Sequence, residues 1–197
     1  MLKVVHQEYV IKKTNMKNLK EIIFEKLKIN SKSKIHEYTY SPTNWEELKK
    51  LVKQLIKERG TDANLNDIDV SKMKTLSNIF SGEESDFNGD ISQWDVSNIE
   101  YMEELFNDCK FDGDISQWNV SNVKSMFGMF AYSEFTGKNG DIGKWDVSKV
   151  KDMQEMFYHS KFEGNISDWK IDKNTNTTDV IAECPLEKNP PKWYKDE

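Results

Sequence analysis

Phe87-Asn-Gly-Asp90-Ile-Ser-Gln-Trp94-Asp-Val-Ser-Asn98 returns as Phe111-Asp-Gly-Asp114-Ile-Ser-Gln-Trp118-Asn-Val-Ser-Asn122. Two further copies align on the same tryptophan, Ile142-Gly-Lys-Trp145-Asp-Val-Ser-Lys149 and Ile166-Ser-Asp-Trp169-Lys-Ile-Asp172. A weaker one precedes them, Leu65-Asn-Asp-Ile68-Asp-Val-Ser-Lys72, with Ile68 in the tryptophan column. The strides along that column are 26, 24, 27 and 24 residues, and the spare residues fall near Ser81–Gly82 and at Thr136–Gly140. A unit this short cannot bury its own apolar face, so its neighbours must stack on it.

Counting forward from the column, +5 holds Met73, Ile99, Val123 and Val150, and +8 holds Leu76, Met102, Met126 and Met153. At +11 stand Ile79, Leu105, Met129 and Met156, and at +12 Phe80, Phe106, Phe130 and Phe157. Spacings of three, three and one put such side chains on one helical face. Ser71, Ser97, Ser121 and Ser148 sit where N-cap hydroxyls belong, and Ser97 with Glu100 spells a capping box. The Phe-x-Gly-Asp/Asn element reads as a return turn with glycine at a positive-φ position. These features predict an α/β repeat solenoid, leucine-rich-repeat-like, of four to five coils of about 24 residues. Each coil carries a short strand or extended piece and a helix, and Phe106, Phe130 and Phe157 line a common spine.

The domain organisation follows. Residues 1–40 form a basic appendage with an amphipathic helix over about 16–28. Residues 41–60 hold an N-capping helix, opened by a capping box at Thr43–Glu46 and closed by Gly60, with Leu48, Leu51, Val52, Leu55 and Ile56 as its apolar stripe. The repeat covers 61–186, where Asn174 and Thr177 make half of the last unit's face polar while Val180 and Ile181 stay apolar, and 187–197 form a C-terminal tail.

Composition narrows the function. The chain has 197 residues, 31% of them charged and 12% aromatic, with a net charge of −6. Residues 1–59 carry 14 Lys/Arg against 7 Asp/Glu, and residues 60–197 carry 14 against 27, so a basic end precedes an acidic body. Arg59 is the sole arginine, and bidentate readout of guanine or phosphate uses arginine, so no nucleic acid partner is expected. No apolar run spans a bilayer and no secretory signal opens the chain. A cytoplasmic or particle-associated location is expected, with weak peripheral membrane contact through residues 16–28 as a minor option.

The phrase Phe-Asn-Gly-Asp-Ile-Ser-Gln-Trp-Asp-Val-Ser-Asn followed by Met/Leu-x-x-Phe resembles the BspA-like surface-protein repeat. That family is related to the Mycoplasma-type lipoprotein repeat and is often grouped with leucine-rich repeats. The likeness covers roughly Trp45–Leu186. It implies a non-enzymatic solenoid binding module used in bacteria for adhesion and other protein contacts, with no catalytic residues to carry over; no metal or cofactor is expected. The leader from Met16 to Asn30 resembles N-termini of gut-bacteriophage proteins, and this gives the alternative of a phage- or particle-associated structural protein.

Several columns invite chemistry, each beside a plainer account. Cys109 and Cys184 suggest a redox pair, or small side chains packed between units. The methionine columns suggest soft-metal ligation, or adaptable core packing. Asp90, Asp114 and Asp141 suggest a calcium ladder, or Asx turns. Trp94, Trp118, Trp145 and Trp169 suggest a sugar-stacking row, or an interlayer ladder. His159 reads as a helix-terminal residue. The candidate partner-binding residues are those the repeat does not dictate. Gln93, Gln117 and Lys144 precede the tryptophan column, and Tyr101, Phe127, Tyr132 and Tyr158 place aromatics where sister units have polar residues.

Overall fold

A computed structural model describes residues 38–195. The appendage helix over 16–28 lies outside the described residues, as does all of the 1–40 segment before Tyr38. The apolar columns at +5, +8, +11 and +12 all reach the interior, but none does so on a helix. Among the described residues one α-helix forms, α1 (Trp45–Arg59), with three short 3-10 turns and no strand longer than an isolated bridge. The α/β repeat solenoid expected from the sequence is therefore not the fold.

The reason is visible in where each backbone N–H goes. Ile99, Leu105 and Cys109 donate to the carbonyls three residues back, at Val96, Met102 and Phe106. Each three-residue step of the apolar pattern is thus one separate turn that brings the chain back to the core. The N–H groups in between leave the unit. Met102, Glu104, Phe106 and Asp108 donate to the carbonyls of Ser125, Phe127, Met129 and Ala131 at 2.8–3.0 Å. Met126, Gly128, Phe130 and Tyr132 repeat this onto Asp152, Gln154, Met156 and Tyr158, and Met153, Glu155, Phe157 and His159 onto Asn176, Thr178, Val180 and Ala182. A helix would have consumed these donors internally.

Two columns of left-handed residues break the helical path. Asn78, Glu104, Gly128, Glu155 and Asp179 occupy one, and Gly82, Asp108, Tyr132, His159 and Glu183 the other, all with φ between 51° and 74°. Right-handed helix is closed to such residues. The serines expected as N-caps are instead turn residues. The N–H groups of Ser71, Ser97, Ser121 and Ser148 donate to the side-chain oxygens of Asp69, Asp95, Asn119 and Asp146 at 3.0–3.2 Å. The capping box of Ser97 and Glu100 does not form. Glu100 pairs with Lys74 and Lys124 of the flanking units.

Register between units is as the alignment requires. Phe80, Phe106, Phe130 and Phe157 stack face to face with ring centroids 5.5–5.6 Å apart. Phe87, Phe111, Phe135 and Phe162 form a second column at 6.0–6.3 Å. The expected phenylalanine spine is present, and it is double. Each tryptophan Nε1–H donates across a unit boundary, from Trp94 to Leu65, Trp118 to Ile91, Trp145 to Ile115 and Trp169 to Ile142, at 2.9–3.2 Å. Trp193, from the segment read as a tail, continues the column by stacking on Trp169 and donating to the carbonyl of Ile166.

The turn glycines answer to space. A Cβ on Gly89 would lie 2.0 Å from the carbonyl oxygen of Ala63, and one on Gly113 would lie 2.7 Å from the Phe111 ring. Neither glycine adopts positive φ, contrary to the sequence reading.

Helix α1 closes the first unit. Its N-cap is Asn44, which accepts from Glu47 N–H, and the reciprocal carboxylate is that of Glu47 on Thr43 N–H. The capping box is shifted one residue from its expected place. Leu48, Val52 and Leu55 are buried. The carbonyls of Ser77 and Ile79 occupy the ladder positions that Glu103 and Leu105 occupy one unit later. Trp45 Nε1–H donates to Ser77 at 2.9 Å and Lys49 Nζ to Ile79 at 3.0 Å. Lys49 also pairs at 3.1 Å with Glu84, whose side chain is 5% exposed. Removing the ammonium strands a buried carboxylate. Lys49→Met is expected to lower unfolding free energy by about 2 kcal/mol, discounted for partial exposure of the lysine, and Lys49→Met/Glu84→Gln to recover part of that. Urea unfolding of the four-member cycle checks it.

Candidate surface binding site

The second left-handed column reaches the surface with a different side chain in each unit: Gly82, Asp108, Tyr132, His159, Glu183. Its backbone is fixed by the ladder, with Tyr132 N–H on Tyr158 O at 2.8 Å and His159 N–H on Ala182 O at 3.1 Å. The side chains therefore stand in consecutive units and touch. Tyr132, 53% exposed, stacks on His159 with centroids 5.2 Å apart and planes 13° off parallel. Tyr158 stands edge-on to both, at 5.4 Å from Tyr132 and 4.5 Å from His159. His159 Nε2 lies 2.9 Å from Glu183 Oε2, and the Tyr158 hydroxyl donates to Glu183 Oε1 at 3.4 Å. Burial in the cluster, and then the nearby Glu183 charge, raise the Tyr158 phenol above its ordinary range. The Glu187 carboxylate in turn accepts from Glu183 N–H.

Of the residues singled out from sequence, only Tyr132 and Tyr158 are brought together. Tyr101, 40% exposed, bridges Thr75 and Ser125 in the flanking units. Phe127 is half-buried. Gln93, Gln117 and Lys144 are exposed. Gln93 N–H donates to Asn66 Oδ1, Gln117 Nε2 to Ser116 Oγ, and Lys144 lies 3.8 Å from Asp141. Lys144 also lines an open recess of about 390 Å³ beside Gly137, Gly164 and Asp168. Among the described residues these three share no hydrogen bond, ion pair or ring contact with Tyr132 or Tyr158. His159 is no helix terminus. It and Glu183 join the site because they share the column of Tyr132, a signal the helical reading concealed.

The other columns resolve to structure. The side chains of Asp90, Asp114, Asp141 and Asn165 accept from the N–H two residues on, as Asx turns. The tryptophans of the column are at most 5% exposed and the stripe methionines at most 3%. Ser133 and Ser160 donate to the carbonyls of Phe130 and Phe157, and Cys109 occupies the same column with its thiol 3.4 Å from Phe87 O. Burial pushes the Cys109 thiol up to about 11 and raises that of Cys184. Both cysteines are free and buried. Among the described residues no group of three His, Cys, Asp or Glu is placed to hold a metal, and no helix is long and apolar enough to cross a membrane.

The molecule is thus a turn-built repeat whose columns define one face residue by residue. A family model described as "Mycoplasma protein of unknown function, DUF285" matches residues 46–139 and 110–193, so the chain belongs to that family. No curated protein and no solved structure matches it.

The Cys109 environment sets a pH dependence. A thiol held above its unfolded value of about 8.5 binds its proton more tightly in the native state. Its contribution is whole below about pH 8.5 and is lost as pH rises through about 11. The melting midpoint is expected to fall between pH 9 and 11, and to fall less in Cys109→Ser, whose hydroxyl has the precedent of Ser133. At pH 8 the native thiols are expected not to react with a thiol-disulfide reagent until denaturant is added.

Proposed function

We propose that this protein is a non-enzymatic binding module whose partner is another protein, engaged through the surface of the turn units. The observation that carries this reading is selective exposure. The repeat withdraws its large apolar side chains into the core, and among the described residues Tyr101 and Tyr132 are the large hydrophobics left exposed. Tyr132 is held in a cluster with Tyr158 and His159, so little side-chain freedom is left to lose on association. Tyrosine is among the residues enriched as anchors of protein interfaces, where its rigid ring gives contact area at low entropic cost. Against catalysis stands the state of the nucleophiles: both thiols are buried and protonated, and the serines of the same column are spent on carbonyls.

Partner capture through a photo-cross-linking residue at position 132 is expected, and none from position 117. Tyr132→Ala and Tyr158→Ala are each expected to weaken capture about tenfold, with the core tryptophan fluorescence unchanged. Capture indifferent to both substitutions in folded protein would remove this face from consideration.

A further inference from the structure

The cluster combines two phenol rings, an imidazole and a carboxylate, a narrower chemistry than an apolar anchor requires. Resting on the reading of this surface as a protein-binding face, we infer that it takes a cationic side chain, an arginine guanidinium, from a basic segment of the partner. Three observations carry this.

The rings offer the right surface. Phenol faces attract a cation lying within about 6 Å of the centroid, and more than half of Tyr132 is open to solvent although His159 covers one face of its ring. The planar guanidinium stacks on such a ring and presents several N–H donors at once, which a compact ammonium does not.

A carboxylate belongs to the same cluster. Glu183 lies against Tyr158 and His159, and a carboxylate has about four lone-pair sites, so it accepts further N–H donors beyond those two. Asp108 stands in the same column one unit before Tyr132, and Glu187 adjoins Glu183. The nearby lysines are engaged elsewhere, Lys110 with Asp86 and Lys161 with Glu134. The acidic excess of residues 60–197 favours a basic partner over the whole approach.

The molecule already contains this arrangement. Its single arginine, Arg59, lies over the Tyr40 ring at 5.7 Å and donates from both terminal nitrogens to Asp67 at 3.0 Å. Tyrosine face, guanidinium and carboxylate are assembled there within the chain. At the surface cluster the phenol in contact with a carboxylate is that of Tyr158, on Glu183, whose side chain is 57% exposed.

The test is an NMR titration of the full chain with acetyl-Gly-Arg-Gly-amide and with its lysine and citrulline counterparts. Citrulline keeps the shape and removes the charge. The arginine peptide is expected to shift the ring signals of Tyr132, Tyr158 and His159, and to bind about fivefold more tightly than citrulline. Glu183→Gln is expected to bring arginine down to the citrulline level. Tyr132→Gly, which suits the left-handed backbone at that position, is expected to abolish the effect with the indole signals of the core unmoved. Equal shifts from citrulline, or ring signals that stay in place, overturn the cation assignment. If that happens while partner capture still depends on Tyr132, the protein-binding reading stands and only the ligand chemistry falls. If arginine titrates the rings while capture ignores Tyr132, the binding reading falls and the ligand chemistry stands.

Discussion

Alternate backbone N–H groups of each unit bond to carbonyls of the next, and the rest of the structure depends on this. No unit holds a helix or strand of its own to fall back on. A turn with three-residue closure satisfies one N–H in two, and the remainder would be left unpaired in the interior, where each costs about 1–3 kcal/mol. The next unit supplies the missing acceptors in register. The same register superposes phenylalanine on phenylalanine and indole N–H on carbonyl. Polar satisfaction and apolar packing are therefore two readings of one alignment, and a slip of one residue would cost both.

Charge on the flanks agrees with that alignment. Asp86, Lys110, Glu134 and Lys161 follow one another across successive units, and Lys110 and Lys161 pair with the acids before them. Lys74, Glu100 and Lys124 alternate on a second column, until Lys151 follows Lys124. Exposed pairs of this kind add little stability each. On the first column their effect is discrimination, since a unit paired with its second neighbour would set Asp86 against Glu134 and Lys110 against Lys161.

The sequence made the register legible and concealed the conformation. Columns led by Trp94, Phe106 and Phe111 recur with such fidelity that their stacking follows from stride alone. The helix was a misreading with a physical source. Apolar residues at intervals of three fit an amphipathic helix, and they equally fit a chain of separate turns that each return to the core. Among the deciding residues, nothing in the identity of Glu104, Tyr132 or Glu155 announces a left-handed backbone. The compositional hint was spread over Gly82 and Gly128 and over Asn78, Asp108, His159 and Asp179, types enriched in that region. The site was half legible for the same reason. Tyr132 and Tyr158 stood out as aromatics the repeat does not require. His159 and Glu183 took their meaning from a column that exists only once the helix is discarded. Trp193 was hidden by the prolines before it.

A row of unpaired main-chain acceptors is an invitation to growth, because any chain bearing matching donors can add to it and present the same row again. Trp45 and Lys49 answer that row at the first unit with an indole and an ammonium. Neither side chain carries a backbone acceptor forward to the outer side of α1. The acceptors at Ser77 and Ile79 are in consequence occupied from within the chain, by two side chains on one helix.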